Sequence, residues 1–286
     1  MIDAKIVADS VAPSGVRLTT FVLTYPRFIH SEFMTHRVFS RNASSSRAIP
    51  VKKSIQMVRD NPAIPLAFTK NQKGMQGGEA LEQEAHDQAV AVWLGARDHA
   101  VEMAHALADL EVHKQYANRI LEPWAHITVV VTSTDWDNFF ALRCHEMAQP
   151  EIHALADMMY GQYFLNNPMQ MISGAYHLPF VSEQDILDTA LENPEPSTGW
   201  AILIKRSVAR CARVSYLNHD GTASTLEQDL QLYERLVGNA PIHASPAEHQ
   251  AMAIGDPSVR SGNFRGWIQY RKTLRGENVE RFEGPQ

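Results

Sequence analysis

The chain has 286 residues, 44% of them hydrophobic and 20% charged, with a formal net charge of -6. That length can bury one large core or two modest ones, and the acidic balance excludes a general nucleic-acid coat, which needs a basic surface to displace counterions. No signal peptide or bilayer-length apolar run is visible, and the two cysteines, Cys144 and Cys211, have no metal-ligand spacing, so a cytoplasmic enzyme with reduced thiols and no membrane partner is expected.

Val16 to Thr24 is β-branched and partly alternating, which predicts a strand ended by Tyr25-Pro26. Phe28, Ile29, Phe33 and Met34 predict a short helix leading to His36. Asn61 to Gly78, rich in Pro, Gly, Lys and Gln, predicts an exposed loop. Helical spacing from Leu81 to Leu107 predicts a long helix over Glu79 to Leu110. Three consecutive valines make His126 to Thr132 a buried strand. Asp135 to Asn166 reads as one further helical stretch. The run Asn193-Pro194-Glu195-Pro196 marks a linker, so residues 1–178 and 201–286 are expected as two parts of one domain joined through 179–200. Ser224-Thr225-Leu226-Glu227 reads as a capping box, followed by a helix faced with Leu226, Leu230, Tyr233 and Val237. Without a regular βαβ rhythm or a G-x-G-x-x-G turn, the pattern favours an α+β fold, a central and largely antiparallel sheet flanked by long helices.

The most informative stretch runs from Thr35 to Arg47. Its small hydroxyl residues Ser44, Ser45 and Ser46, followed by Arg47, offer hydroxyl and backbone donors plus a guanidinium fork, the groups that a dianionic phosphate needs. A single nucleotide is therefore an allowed ligand despite the net negative charge. Thirteen histidines show no H-E-x-x-H spacing, so no metal is expected.

His36, Arg37, Ser40, Asn42, Ser45 and Arg47 form His-Arg-x-x-Ser-x-Asn-x-x-Ser-x-Arg, which resembles the signature of the flavin-dependent thymidylate synthases. Thr35 and Ala43 stand where that family usually has Arg and Glu. A second block, Asn138 to Arg143 followed by Ala148-Gln149-Pro150-Glu151-Ile152, resembles the family's arginine-bearing helix, with Met147 where His is common. A third, Asn118-Arg119-Ile120-Leu121-Glu122-Pro123, resembles its A-R-x-x-L-P. Ala212-Arg213-Val214-Ser215 and His243-Ala244-Ser245-Pro246-Ala247-Glu248-His249 resemble segments that precede the signature in the family but follow it here, so the chain reads as circularly permuted.

The resemblance implies FAD as cofactor, with NADPH and methylenetetrahydrofolate as co-substrates, and one-carbon transfer to C5 of a pyrimidine deoxynucleoside monophosphate, dUMP first. Hydroxymethylation of dUMP or dCMP and a non-catalytic nucleotide-binding relative are the alternatives. It implies a homotetramer, no polymeric nucleic acid, and Arg143 as the catalytic residue that polarises the ring. Nucleotide contacts are implied for Glu32, Thr35, Ser45, Arg47, Arg119 and Arg143. Cofactor contacts are implied for His36, Arg37, Asn42, Thr132, Asn138, Ser215, Ser245 and Glu248. Gln269-Tyr270-Arg271, one residue shorter in spacing, echoes the family's Gln-x-x-Arg, and Gln269 or Arg271 is expected to replace a group lost before His36. Cys144, beside Arg143, could be an activated thiol; a packed helix residue is the simpler expectation.

Overall fold

The computed structural model describes residues 1–74, 76–214, 217–218, 221–238 and 241–278. In chain order its strands and helices are β1 (Asp3–Val11), β2 (Arg17–Pro26), α1 (His30–Met34), β3 (Ser40–Ala43), α2 (Val51–Asp60), α3 (Gln83–Asp109), α4 (Lys114–Ala117), β4 (His126–Ser133), α5 (Asp137–Arg143), α6 (Pro150–Leu165), β5 (Met169–Gln170), β6 (Tyr176–His177), α7 (Glu183–Glu192), α8 (Pro196–Ala212), α9 (Leu226–Val237), β7 (Ala251–Ala253), β8 (Arg260–Ser261), β9 (Phe264–Arg265) and β10 (Trp267–Gln269). The fold is α+β. Its main sheet has the order β3-β4-β2-β1-β5, antiparallel except for the short β1–β5 pairing.

The valine run of β4 is apolar throughout because both sides of the sheet are covered. Val129 and Val131 join Phe21, Leu23 and Tyr25 against Ile152, Leu155 and Met159 of α6. Val130 points the other way, against Cys211 and Val214 at the end of α8. The sheet is thus sandwiched between α6 and α8, which are far apart in sequence. A smaller sheet, β10-β7-β6, closes the far end of the β1–β2 hairpin, where Trp267, Phe264, Ala251 and Ala253 pack on Val16 and Leu18. Helices α2 and α3 form a separate cluster around Ile55, Val58, Val101 and Trp124. Among the described residues no helix is long and apolar enough to cross a membrane.

Several local expectations change. The stretch from Asp135 to Asn166 is two helices, α5 and α6, because Pro150 lacks an N–H and its ring pushes Gln149 to φ −56, ψ 137. The expected linker contains α7, opened by a Ser182–Asp185 capping box, and the first turn of α8, where Pro196 takes the N-terminal position that tolerates it. The capping box of α9 lies one residue later than its sequence pattern suggests: Thr225 caps and Gln228 reciprocates. Strand β1 carries no strong sequence signal; it is held by pairing along most of β2.

Candidate active site

The signature segment runs along two surfaces. Its first part is a turn at the end of α1, and its last part is the exit from β3. Arg41 Nη1 pins the turn by donating to the carbonyls of Phe33, Met34 and His36 at 3.5, 3.0 and 3.2 Å. A cation is favoured at a helix end, and here it adds to the Phe33 and His36 carbonyls, which also accept the N–H groups of His36 and Phe39. His36 is buried beneath this turn, its ring between Phe139 and Phe39 with centroids 4.9 and 5.7 Å away. Arg143, at the last turn of α5, donates Nε to His36 Nε2 at 3.0 Å and Nη2 to Thr35 Oγ1 at 3.4 Å. Burial, then the charges of Arg143 and Arg41, hold the His36 pKa down to about 4.

At the other end, Asn42 holds both parts of the C-terminal third. Its Nδ2 donates to the Cys211 carbonyl at 2.8 Å, and its Oδ1 accepts from Ser245 Oγ at 3.3 Å. Ser40 is fully buried and accepts from Gln269 Nε2 at 3.1 Å and Asn263 Nδ2 at 3.3 Å. Gln269 Nε2 also reaches the Glu248 carbonyl, and Arg271 is ion-paired to the Glu248 carboxylate and to Glu277. Gln269 and Arg271 therefore meet the signature strand and Glu248, where they brace the wall.

Between the β3 exit and α9 lies a cavity of about 990 Å³, at the upper end of ligand-pocket sizes of about 300–1,000 Å³. One wall is Asn42, Ser44 and Ser45; Ser245 and Arg213 flank it. The opposite wall is one face of α9, with Gln228, Gln231, Leu232 and Arg235 at three- and four-residue spacing. Among the described lining residues none is acidic, while Arg213, Arg235 and His243 are all present. Arg213 is set by a buried ionic cluster: Asp229, without solvent exposure, accepts from Arg206, Arg210 and Arg213 at 3.2, 3.2 and 2.5 Å. Next to it Val214 has φ 56, a left-handed conformation that is an outlier for a β-branched residue. It places backbone strain on the cavity wall.

Arg47, Arg143 and Ser245, which the resemblance implies at the nucleotide and the cofactor, do not line one cavity of a single chain. Ser45 and Ser245 line the large cavity, Arg47 is exposed two residues beyond Ser45, and Arg143 belongs to the Thr35–His36 turn. The reason is geometric: β3 lies between the two ends of the signature and carries them apart. Arg37 is exposed beside His36, and Asn138 is exposed on α5. Glu32 is half-buried in α1, its backbone carbonyl accepting from Thr35 Oγ1 at 2.6 Å. Arg119 is exposed and paired with Glu122 at 3.0 Å, which also binds Ser46 Oγ and Arg27. Ser215 lies outside the described residues. Thr132, expected at the cofactor, is instead sealed inside the sheet, with Thr20 and His249 each 2.8 Å from its hydroxyl.

Cys144 also departs from the activated-thiol alternative: burial, then Asp157, pushes its thiol up to about 11 despite Arg143 next to it. Sequence reading missed Arg41 and the α9 wall. The polar face Gln228, Gln231 and Arg235 is a signal present in the sequence, opposite the apolar stripe that marks the helix.

The model of the family described as thymidylate synthase complementing protein matches residues 16–166. Among solved structures, a UMP/dUMP methylase PolB from Streptomyces cacaoi bound with 5-Br UMP aligns at TM-score 0.47 and 18% identity, over 57% of this chain and 88% of that one. The same methylase bound with 5-Br dUMP aligns at 0.46 and 19%, over 57% and 90%. A Thymidylate Synthase X from Helicobacter pylori with FAD and dUMP aligns at 0.35 and 15%, over 51% and 66%. A search among curated proteins finds no match to this chain. The family match spans more than half of the residues and contains both the signature turn and the Arg143 helix, so the chain belongs to the thymidylate synthase complementing protein family, and with it to the nucleotide methyltransferases.

Proposed function

We propose that the protein transfers a one-carbon unit from methylenetetrahydrofolate to C5 of a pyrimidine deoxynucleoside monophosphate, dUMP to dTMP, using FAD and NADPH. The observation that carries this reading is the large cavity where the signature strand meets the C-terminal third. The chain as a whole is acidic, yet the described wall of this cavity holds two arginines, a histidine and no carboxylate. That chemistry and volume fit a phosphate-rich dinucleotide such as FAD, whose phosphates Arg213, Arg235 and His243 would hold. Asn42, Ser45 and Ser245 would meet its polar edges. When bound, the flavin supplies the hydride, and the folate supplies the carbon.

The residues of the chain then have separable tasks. Arg143 stabilises negative charge on a ring carbonyl as C5 becomes nucleophilic, an electrostatic task that a dry, preorganised site strengthens. Ser45, Arg47 and Arg119 bind the nucleotide phosphate and so fix the ring. Because Arg143 and the large cavity face different surfaces of one chain, we place a complete site between copies, in a homotetramer. The family order is permuted: the segment ending at His249 packs against the β3 strand that it precedes in other members.

The test is incubation with FAD, NADPH, methylenetetrahydrofolate and either dUMP or dCMP, followed by mass analysis of the nucleotide. A methylated dUMP product is expected. A hydroxymethylated product would redirect the reading to the hydroxymethylase alternative, and a colourless protein that binds nucleotide without turnover would redirect it to a non-catalytic relative.

A further inference from the structure

We propose that His36 and Thr35 are positioning residues that lock the guanidinium of Arg143 and thereby fix the pyrimidine ring. This rests on the reading of Arg143 given above.

An arginine side chain only donates. At 3.0 Å from Arg143 Nε, His36 Nε2 must therefore be the bare acceptor, and the ring proton sits on Nδ1. The ring cannot swing away, because Phe139 meets it edge-on and Phe39 stacks on it. Burial and two neighbouring cations keep the ring neutral, which preserves the acceptor at physiological pH. Thr35 completes the lock. Its hydroxyl spends its hydrogen on the Glu32 carbonyl at 2.6 Å, so its lone pairs face Arg143 Nη2. Arg41 holds the turn that carries both acceptors, through the three carbonyls of Phe33, Met34 and His36.

Both partners of Arg143 are neutral. A carboxylate would orient the guanidinium equally well, but it would cancel the charge that the ring carbonyl needs. Neutral acceptors orient without cancelling. The departure at position 35 fits the same logic: where the signature usually carries Arg, a second cation would face Arg143, and Thr supplies an acceptor in its place.

The experiment uses the full-length protein and the variants His36→Leu, His36→Gln, Thr35→Val and Thr35→Ser. It measures kcat, KM for dUMP, dUMP affinity and imidazole ¹⁵N spectra, with the His36 signal assigned by its loss in His36→Gln. Gln can present an acceptor near the former Nε2, and Ser keeps the hydroxyl. The expected result is a drop in kcat of about 10–100-fold in His36→Leu, and a smaller one in Thr35→Val, with recovery to within about threefold in the Gln and Ser variants. The spectra should show His36 as the Nδ1-protonated tautomer. Wild-type kcat in His36→Leu overturns the proposal, and so does an Nε2-protonated His36 in the wild-type spectrum. A wild-type protein with no affinity for dUMP or dCMP overturns the reading of Arg143 along with the proposal. Intact affinity with an indifferent His36 overturns the proposal alone.

Discussion

Ser245 Oγ donates to Asn42 Oδ1 at 3.3 Å across 203 positions of chain, while Asn42 Nδ2 binds the Cys211 carbonyl at 2.8 Å. One amide thus joins the signature strand to two separate segments of the C-terminal third, and it does so at the wall of the large cavity. Replacing Asn42 by Leu removes this donor from the Cys211 carbonyl, which keeps the Val214 N–H at 3.0 Å, so the cost is that of one net hydrogen bond, about 0.5–1.5 kcal/mol. Urea unfolding should show that loss, and flavin titration of the folded variant should show weaker binding. Unchanged values in both would remove Asn42 from the wall.

The α9 face makes a separate claim. Arg235 lines the cavity with no acidic neighbour among the described lining residues. If it holds a phosphate, Arg235→Gln weakens FAD binding by about 10-fold or more and leaves riboflavin, which has no phosphate, unaffected. Fluorescence titration with both flavins separates the outcomes. Equal losses for the two would mean that Arg235 supports the fold of the wall and does not bind an anion.

Cys144 packs against the main core with its thiol pushed up to about 11. At neutral pH it is a thiol and a poor nucleophile. Cys144→Ser is therefore expected to keep turnover within about threefold of wild type, since surface-proximal changes of this size perturb little. Abolished turnover in a folded, flavin-binding Cys144→Ser protein would bring back a covalent mechanism.

Stability should depend on pH through a buried polar chain. Ser10 Oγ lies 2.9 Å from His177 Nδ1, His177 Nε2 lies 2.8 Å from Thr20 Oγ1, and Thr20, Thr132 and His249 Nδ1 continue at 2.8 Å each. All five residues are buried, and His249 Nε2 has no protein partner among the described residues. Burial holds His177 at about 4 and His249 at about 3, below the ordinary value of 6.5. The unfolded chain then binds more protons than the native one as pH falls below about 6.5, so stability is full above that pH and declines towards pH 4. Each histidine contributes a slope of at most about 1.4 kcal/mol per pH unit in that window. Urea midpoints measured from pH 7.5 to 4.5 should fall steeply, and His249→Leu should flatten the curve. A flat wild-type curve would refute the assignment of neutral buried rings.

The ionic cluster behind Arg213 gives the largest expected single effect. Asp229 accepts from three arginines with no solvent exposure; Asp229→Asn takes from Arg213 the carboxylate it pairs with, while Arg206 and Arg210 keep Asp185 at 2.8 and 2.6 Å. The cost is about 3–5 kcal/mol. Calorimetry should record a lowered melting temperature, and replacing both Asp229 and Arg213 should recover part of it.

What the sequence by itself determined about this protein was whatever depends on near neighbours in the chain. The alternation of Val16 to Thr24 foretold most of β2, the valine run foretold β4, and the spacing of apolar residues foretold α3. The fixed spacing within residues 35–47 pointed to the family. A proline effect at Pro150 and the exact phase of the α9 cap were local too, yet competing local signals hid them. Tertiary structure alone decided which of the named side chains meet. Thr132 reads as a polar residue at a strand end, but the strands and helix turns packed around it turn its hydroxyl inward between Thr20 and His249. His36 reads as a ligand contact, but the packing of α5 brings Arg143 onto its Nε2. Such pairings come from the burial of apolar faces belonging to elements more than a hundred residues apart, a long-range free-energy balance that no local window of sequence contains.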